Sequence, residues 1–317
     1  MTMTIAAAVL LLLCAVVVLM AGPRCLPRIT ASGDAPRLGV AVWLTAVVTV
    51  LGCSMAAVTL LVVETAGHWG GPDELLTSCM ERLKAILLGR AGLLPMLTAS
   101  AALAVAGGSV IAICIRVGKA LHRMLTQTFA HADAVRLVGK PHGDVVIMNA
   151  PAPAAYCVAG RPSAIVVTTA AVEALQPPQL VAVVAHERAH LEGRHAYLVA
   201  VLRGLAAAMP RVRLFAGAAV QIGILLEMCA DDAAARHHGH QPLVEGLVAL
   251  SEAGAPPHGL AAAGVAVIAR AERLIDPQRG FARVRTHLAL MSALAAMAAA
   301  PTAIVTLALT GALVCFA

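Results

Sequence analysis

Charge and aromatic rings are both scarce in this 317-residue chain: Asp, Glu, Lys and Arg make up 13% of it, and Phe, Trp and Tyr only 3%. A chain so poor in charge does not have the surface of an ordinary soluble domain. Cysteines are few and scattered, eight of them at 14, 25, 53, 79, 114, 157, 229 and 315. No C-x-x-C occurs, and no even set falls within one compartment, so they read as reduced thiols packing as small apolar side chains and not as a disulfide framework. Ser-x-x-Lys is absent as well, which removes that acylating pair from consideration. Positive charge is missing ahead of the first apolar run, where the amino terminus stands alone, and this favours a retained span over a cleaved leader.

Hydrophobic residues are abundant, at 60% of the chain with a mean hydropathy of +0.86. Three long apolar runs, about 4–22, 38–63 and 91–115, fill the first third of the chain, and a fourth, 288–317, closes it. Each is about as long as the roughly 20 residues that cross the hydrocarbon core of a bilayer as a helix. The link between the first two carries Arg24, Arg28 and Arg37 against Asp34. The next link carries Glu64, Asp73, Glu74 and Glu81 against Arg82, Lys84 and Arg90, while Arg116, Lys119 and Arg123 follow the third run. Positive-inside asymmetry then places the amino terminus and the second link outside and residues 117–287 in the cytoplasm. The net charge of +6 and pI of about 9.1 come mainly from residues flanking the spans, so they are read as anchors to the lipid bilayer surface and not as a direct nucleic-acid site.

Eleven of the twelve histidines follow the third run, and so does the motif on which the reading turns. His186, Glu187 and His190 form H-E-x-x-H after small apolar residues. Positions four apart share a helix face, so His186 and His190 can meet at one metal ion, and Glu187 beside them can serve as the base for an attacking water. A third donor is needed, and Glu227 is the candidate, with Asp231 four residues on, placed to accept the ring N–H of a ligating histidine. His195 is a weaker alternative: the metzincin spacing would need histidine at 196, which is Ala196, and on a continuing helix His195 turns away from the metal and becomes a polar surface residue. Cys229 lies on a different helical face from Glu227, and His237, His238 and His240 read as helix capping around Gly239.

Around the motif the pattern predicts a helix over 119–131, strands at 144–149 and 163–169, and a helix from near 169. The zinc helix, 179–194, is predicted to open at Pro178, with a last helix over 264–275. A surface helix is expected at 73–88. The apolar stretches 196–208 and 214–226 read as core helices or helices dipping into the inner leaflet. Prolines 151 and 153 end the first strand, and the edge near 148–152 is a place where an extended substrate could add as a strand.

These residues resemble the BlaR/MecR-type membrane zinc metallopeptidases, relatives of the beta-lactam sensor-transducers, and more distantly the HtpX and CAAX-prenyl membrane endopeptidases. The likeness rests on His186-Glu187-x-x-His190, Glu227-x-x-x-Asp231, the strand and proline segment of 145–155, and Arg270-x-x-Arg273-Leu274 before Pro277. It implies one zinc ion held by His186, His190 and Glu227, Glu187 as catalytic base, and Asp231 as partner of a ligating histidine. Without Ser-x-x-Lys and without a penicillin-binding domain after the fourth span, direct antibiotic sensing is not expected. The expected fold is a mainly α membrane protein with four transmembrane helices and a cytoplasmic α+β metallopeptidase domain of gluzincin type. Residues 1–116 would form the membrane region with three spans, 117–287 the catalytic domain and 288–317 the fourth span. The function expected is regulated cleavage of a cytoplasmic protein such as a winged-helix transcriptional repressor. Quality control of membrane proteins and a non-catalytic zinc-containing transducer are the alternatives, and a glutamate that is not needed as a ligand argues against the last. The oxyanion donor is left open among His195, His237, His238, His258, Arg270 and Arg273.

Overall fold

The computed structural model describes residues 2–67, 93–160, 162–253, 260–276 and 280–310. Helix α1 (Thr2–Thr30) runs past residue 22 to Thr30, and α2 (Pro36–Gly67) follows after a short turn. The helix predicted at 73–88 and the first residues of the span predicted at 91–115 lie outside the described residues. From Leu93 the chain is one continuous helix, α3 (Leu93–Val138), so the third apolar run and the helix predicted at 119–131 are a single element. No proline interrupts it beyond Pro95, which stands in the first turn where a missing N–H costs nothing.

A four-stranded sheet comes next: β1 (Lys140–His142), β2 (Val145–Met148), β3 (Ala155–Val158) and β4 (Ala164–Thr168), in the order β1-β2-β4-β3. β1 and β2 form an antiparallel hairpin around Gly143, whose φ of 68° is open to glycine at little cost. β2 and β4 are parallel, β3 and β4 antiparallel. β4, reading AIVVT, is buried along its whole length, as a central strand covered on both faces should be. Its alternate residues serve two cores. Ala164 and Val166 pack with Val146, Val158 and the α3 residues Ala132 and Val135, whereas Ile165 and Val167 face Ala171, Leu180 and Val184.

The topology corrects one expectation. Met148 ends β2, which lies between β1 and β4 and is not an edge strand, and residues 149–152 lie beyond it, outside the sheet. The proline segment is held by the buried Thr168 hydroxyl, which donates to Ala152 O (2.9 Å) and accepts from Ala154 N (2.9 Å). The same hydroxyl accepts the Ala171 N–H (3.2 Å), capping the short helix α4 (Thr169–Ala174). Of the two real edges, β3 is the one beside the histidine helix.

That helix is α5 (Pro177–Glu192), with Pro177 and Pro178 in its first turn. It stops at Gly193, and Arg194 takes a left-handed backbone (φ 51°) that starts α6 (His195–Ala208) in a new direction. After Pro210 comes α7 (Arg213–His238), one unbroken helix that joins the apolar stretch 214–226 to the carboxylate motif and ends at Gly239 (φ 85°). α8 (His240–Ala253), α9 (Leu260–Ile275) and α10 (Phe281–Leu309) complete the described chain. α5 lies against α7. Ala182 of α5 is fully buried with Ala234 and Ala235 of α7, and side chains this small let the two helices approach closely.

By internal contacts the chain divides into two compact units, Met1–Pro23 with Thr45–Arg116 and Leu294–Ala317, and Arg24–Leu44 with Val117–Ala293. In the first, Ala8, Leu11 and Ala15 pack on Cys53 and Ala57, and the Thr49 hydroxyl donates to Met297 O (3.2 Å). Four described helices are long and apolar enough to cross a membrane by length and composition, Ala6–Thr30, Pro36–Leu61, Arg213–His238 and Phe281–Ala308, and they suggest a membrane protein. Three of these overlap predicted spans. The Arg213–His238 helix buries Leu214, Phe215, Ile222 and Leu225 in the second unit, as a core helix does.

Candidate metal centre

The helix α5 carries both imidazoles on its α7-facing side, and α7 answers with Glu227. His186 Nε2 lies 3.1 Å from His190 Nε2, and each is 3.5 Å from a Glu227 carboxylate oxygen. His186, His190 and Glu227 thus bring one donor atom each to within 4.8 Å of one another, a group that could hold a metal ion. Two neutral imidazoles and one carboxylate are the donor set of a catalytic zinc site, three protein ligands with a position left for water. The surroundings also suit a cation. Burial of His186 opposes its protonation, yet the Asp231 and Glu227 carboxylates prevail and hold it up at about 9. A metal ion held by these donors would take the place of that charge.

Beneath the donors, Asp231 is fully buried, and its Oδ1 lies 3.0 Å from His186 Nδ1, a close ion-pair contact that falls short of hydrogen-bond angles. Asp231 has a second partner that sequence spacing did not single out for it. Arg270 of α9 donates from Nε to Oδ2 (2.8 Å) and from Nη2 to Oδ1 (2.6 Å), while its Nη1 lies 3.1 Å from Glu227 Oε2. One guanidinium therefore holds both carboxylates, and the bidentate fork fixes their separation. The neighbouring Arg273 is engaged elsewhere, on Asp232 (2.6 Å) and the Gly33 carbonyl (3.0 Å).

Glu187 points the other way, to the sheet. Its Oε2 accepts the Cys157 N–H of β3 (2.9 Å), leaving the second oxygen for other work. Burial raises the Glu187 carboxyl above its ordinary range, against the two histidines and the Cys157 N–H, which pull it down. The Cys157 thiol, pushed up to about 12 by burial and by Glu187, is an inert neutral group at neutral pH.

His195 is neither a donor of the group nor a surface residue. Because α5 ends at Gly193, the chain turns back and brings His195 Nδ1 to 2.8 Å from His190 Nδ1. Burial, and then His190, keep His195 down at about 4, so it stays neutral at neutral pH and can accept the His190 N–H. Gly193, standing just after the last apolar-periodic residue, was the available signal for this break. Cys229 is buried and outside the donor group. His237 and His238 are exposed at the end of α7, ring beside ring at 6.4 Å, and His258 falls outside the described residues.

Residues 119–225 match the family model for Peptidase family M48. The matched stretch takes in the sheet, α5, α6 and the first half of α7, hence His186, Glu187 and His190, and stops two residues before Glu227. It supports a zinc metallopeptidase, a hydrolase of peptide bonds with protein substrates. Neither the curated proteins nor the solved structures gave a match to the chain.

Proposed function

We propose that this protein is a membrane-embedded zinc endopeptidase that acts in signal transduction by regulated cleavage of a cytoplasmic transcriptional repressor. The observation that carries the chemistry is the convergence of His186, His190 and Glu227 donor atoms beside a half-buried Glu187. In this reading the three side chains hold one zinc ion, which when bound polarises a peptide carbonyl and makes water acidic enough to lose a proton near pH 7. Glu187 takes that proton on the carboxylate oxygen not engaged by Cys157 N–H and returns it to the leaving amine. Its raised affinity for a proton brings it closer to the operating pH, where a group that must both accept and donate is most effective. Asp231 and His195 face the Nδ1 atoms of His186 and His190, which keeps each Nε2 available as a donor to the metal.

The substrate side rests on the resemblance to sensor-transducer metallopeptidases, and the cytoplasmic placement of 117–287 on the arginine asymmetry of the two links. A reporter that works only in the cytoplasm should be active when fused after Val117 and silent when fused near Gly70, and the opposite pattern would reverse the orientation. Membranes carrying the protein should cleave a winged-helix repressor encoded beside it. A repressor that stays intact while membrane proteins accumulate on deletion of the peptidase would assign the enzyme to membrane-protein turnover instead.

A further inference from the structure

A cavity of about 760 Å³ opens between α5, α7 and the start of α2, and neither Glu187 nor any of the three metal donors lines it. Its charge is mostly positive. Arg37 of α2, Arg188 of α5 and Arg236 of α7 stand on the lining against Glu192, the one carboxylate there among the described residues. Each arginine comes from a different helix, so tertiary packing makes the cluster and a local basic run does not. Small residues permit that packing. A Cβ on Gly39 of α2 would lie 3.0 Å from Leu225 of α7, and one on Gly217 of α7 would meet the fully buried Trp43 ring at 3.5 Å.

The three guanidiniums are not equally committed. Arg188 is held by Asp144, through Nε at 3.0 Å and Nη2 at 2.6 Å. Arg37 and Arg236 are exposed and have no carboxylate or hydrogen-bond acceptor among the described residues. Arg37 also stands in the first turn of α2, where unpaired backbone N–H groups and the positive end of the helix dipole add to the attraction for an anion. Away from these groups the wall is carbon, with Val40, Leu198, Leu226 and Ala233 on it. A basic mouth on an apolar wall suits an amphiphile. Depth points the same way: α2 is apolar and long enough to cross a bilayer from Pro36 to Leu61, so Arg37 falls where such a helix enters the membrane, at the level of lipid phosphates. From Arg37, Val40 and Leu44 follow at i+3 and i+7 on the same face, an apolar track leading into the span.

We propose that this cavity binds the phosphodiester headgroup of an anionic phospholipid, with Arg37 and Arg236 on the phosphate and an acyl chain laid along Val40 and Leu44. Two uncommitted guanidiniums against one carboxylate favour a headgroup with net negative charge over a zwitterionic one. A free phosphate ion would leave the carbon wall in water, which favours the lipid. The inference goes beyond the peptidase reading and needs neither zinc nor Glu187. His195, whose Nδ1 faces His190, is part of the same wall, so the lipid sits behind the ring that orients a metal donor.

The test titrates the full-length chain, in a neutral detergent, with dioctanoyl phosphatidylglycerol, dioctanoyl phosphatidylcholine or inorganic phosphate, and counts bound molecules by native mass spectrometry. Wild type should bind the glycerol lipid about 10-fold or more tightly than the choline lipid, since each arginine near a headgroup is worth about 5-fold. Arg37→Gln combined with Arg236→Gln should bring the two lipids within about 2-fold. Both side chains are exposed, so the fold should survive the change. Arg285→Gln, at an exposed arginine that does not line the cavity, should leave the preference as it is. Inorganic phosphate should compete only at about 100-fold or more above the lipid concentration, because it lacks the apolar part. Equal binding of the two lipids by wild type, a preference that survives the double substitution, or an equal loss in Arg285→Gln overturns the proposal. Phosphate that displaces the lipid at equal concentration makes the ligand the free ion and overturns it too. All of these readouts are independent of zinc and of cleavage, so failure here leaves the peptidase reading standing.

Discussion

Replacing Glu187 by glutamine should abolish most cleavage while leaving zinc and fold in place. Glutamine keeps the shape, and its amide oxygen can still accept the Cys157 N–H that now holds Oε2 at 2.9 Å. What it lacks is a basic oxygen. Positioned acid–base catalysis contributes typically about 10²–10⁴-fold, or roughly 3–5 kcal/mol of barrier, so the rate should fall by that factor with KM little changed. Removing the charge of a half-buried carboxylate that the two histidines partly offset should perturb stability far less. The comparison is cleavage rate against zinc content in wild-type and Glu187→Gln membranes. A variant that keeps zinc and wild-type rate would leave the non-catalytic transducer as the better account.

Arg270→Ala should have the largest effect on stability. The guanidinium is only 12% exposed and spans Glu227 and the wholly buried Asp231, so its loss leaves a carboxylate without its cationic partner in the interior. Breaking a buried pair from one side costs about 3–5 kcal/mol, whereas loss of an exposed pair costs about 1 kcal/mol or less. Arg270→Lys keeps the charge but not the fork, and should fall between wild type and alanine. Arg188→Ala supplies the control. Its bond to Asp144 is as short, 2.6 Å, but both partners are about half exposed. Thermal unfolding of the detergent-solubilised chain should drop markedly for Arg270→Ala and barely for Arg188→Ala. Equal small shifts would mean that Asp231 does not depend on Arg270.

How much of this was legible in the sequence depends on the range of the interaction concerned. The i, i+4 pairs His186/His190 and Glu227/Asp231 are local, and helical geometry alone places each pair on one face. That the two faces meet is a tertiary fact, made by the alanines of α5 and α7. Arg270 holds Asp231 across 39 residues, and no local spacing predicts that. The strands β2 and β4 are β-branched and readable. β1, with a central proline, and β3, only four residues long, give no alternation to read. Missing β3 moved the expected substrate edge to 148–152, where Met148 ends an inner strand and the rest lies outside the sheet. The surface position expected for His195 fails for a similar reason: it needs a helix that continues through Gly193, where the left-handed Arg194 turns the chain back toward His190.

The central claim, that His186, His190 and Glu227 form one zinc site served by residues that do not themselves ligate, is tested most directly by metal analysis of the purified full-length chain and two variants. Wild type should carry one zinc per chain. Glu227→Ala should lose it on dialysis, because two imidazoles alone hold zinc poorly. His195→Ala should keep most of its zinc, since removing a residue that orients a ligand weakens binding by about 10–100-fold without removing a donor. Equal loss of zinc from the two variants, or a wild-type chain that binds none, would contradict the account.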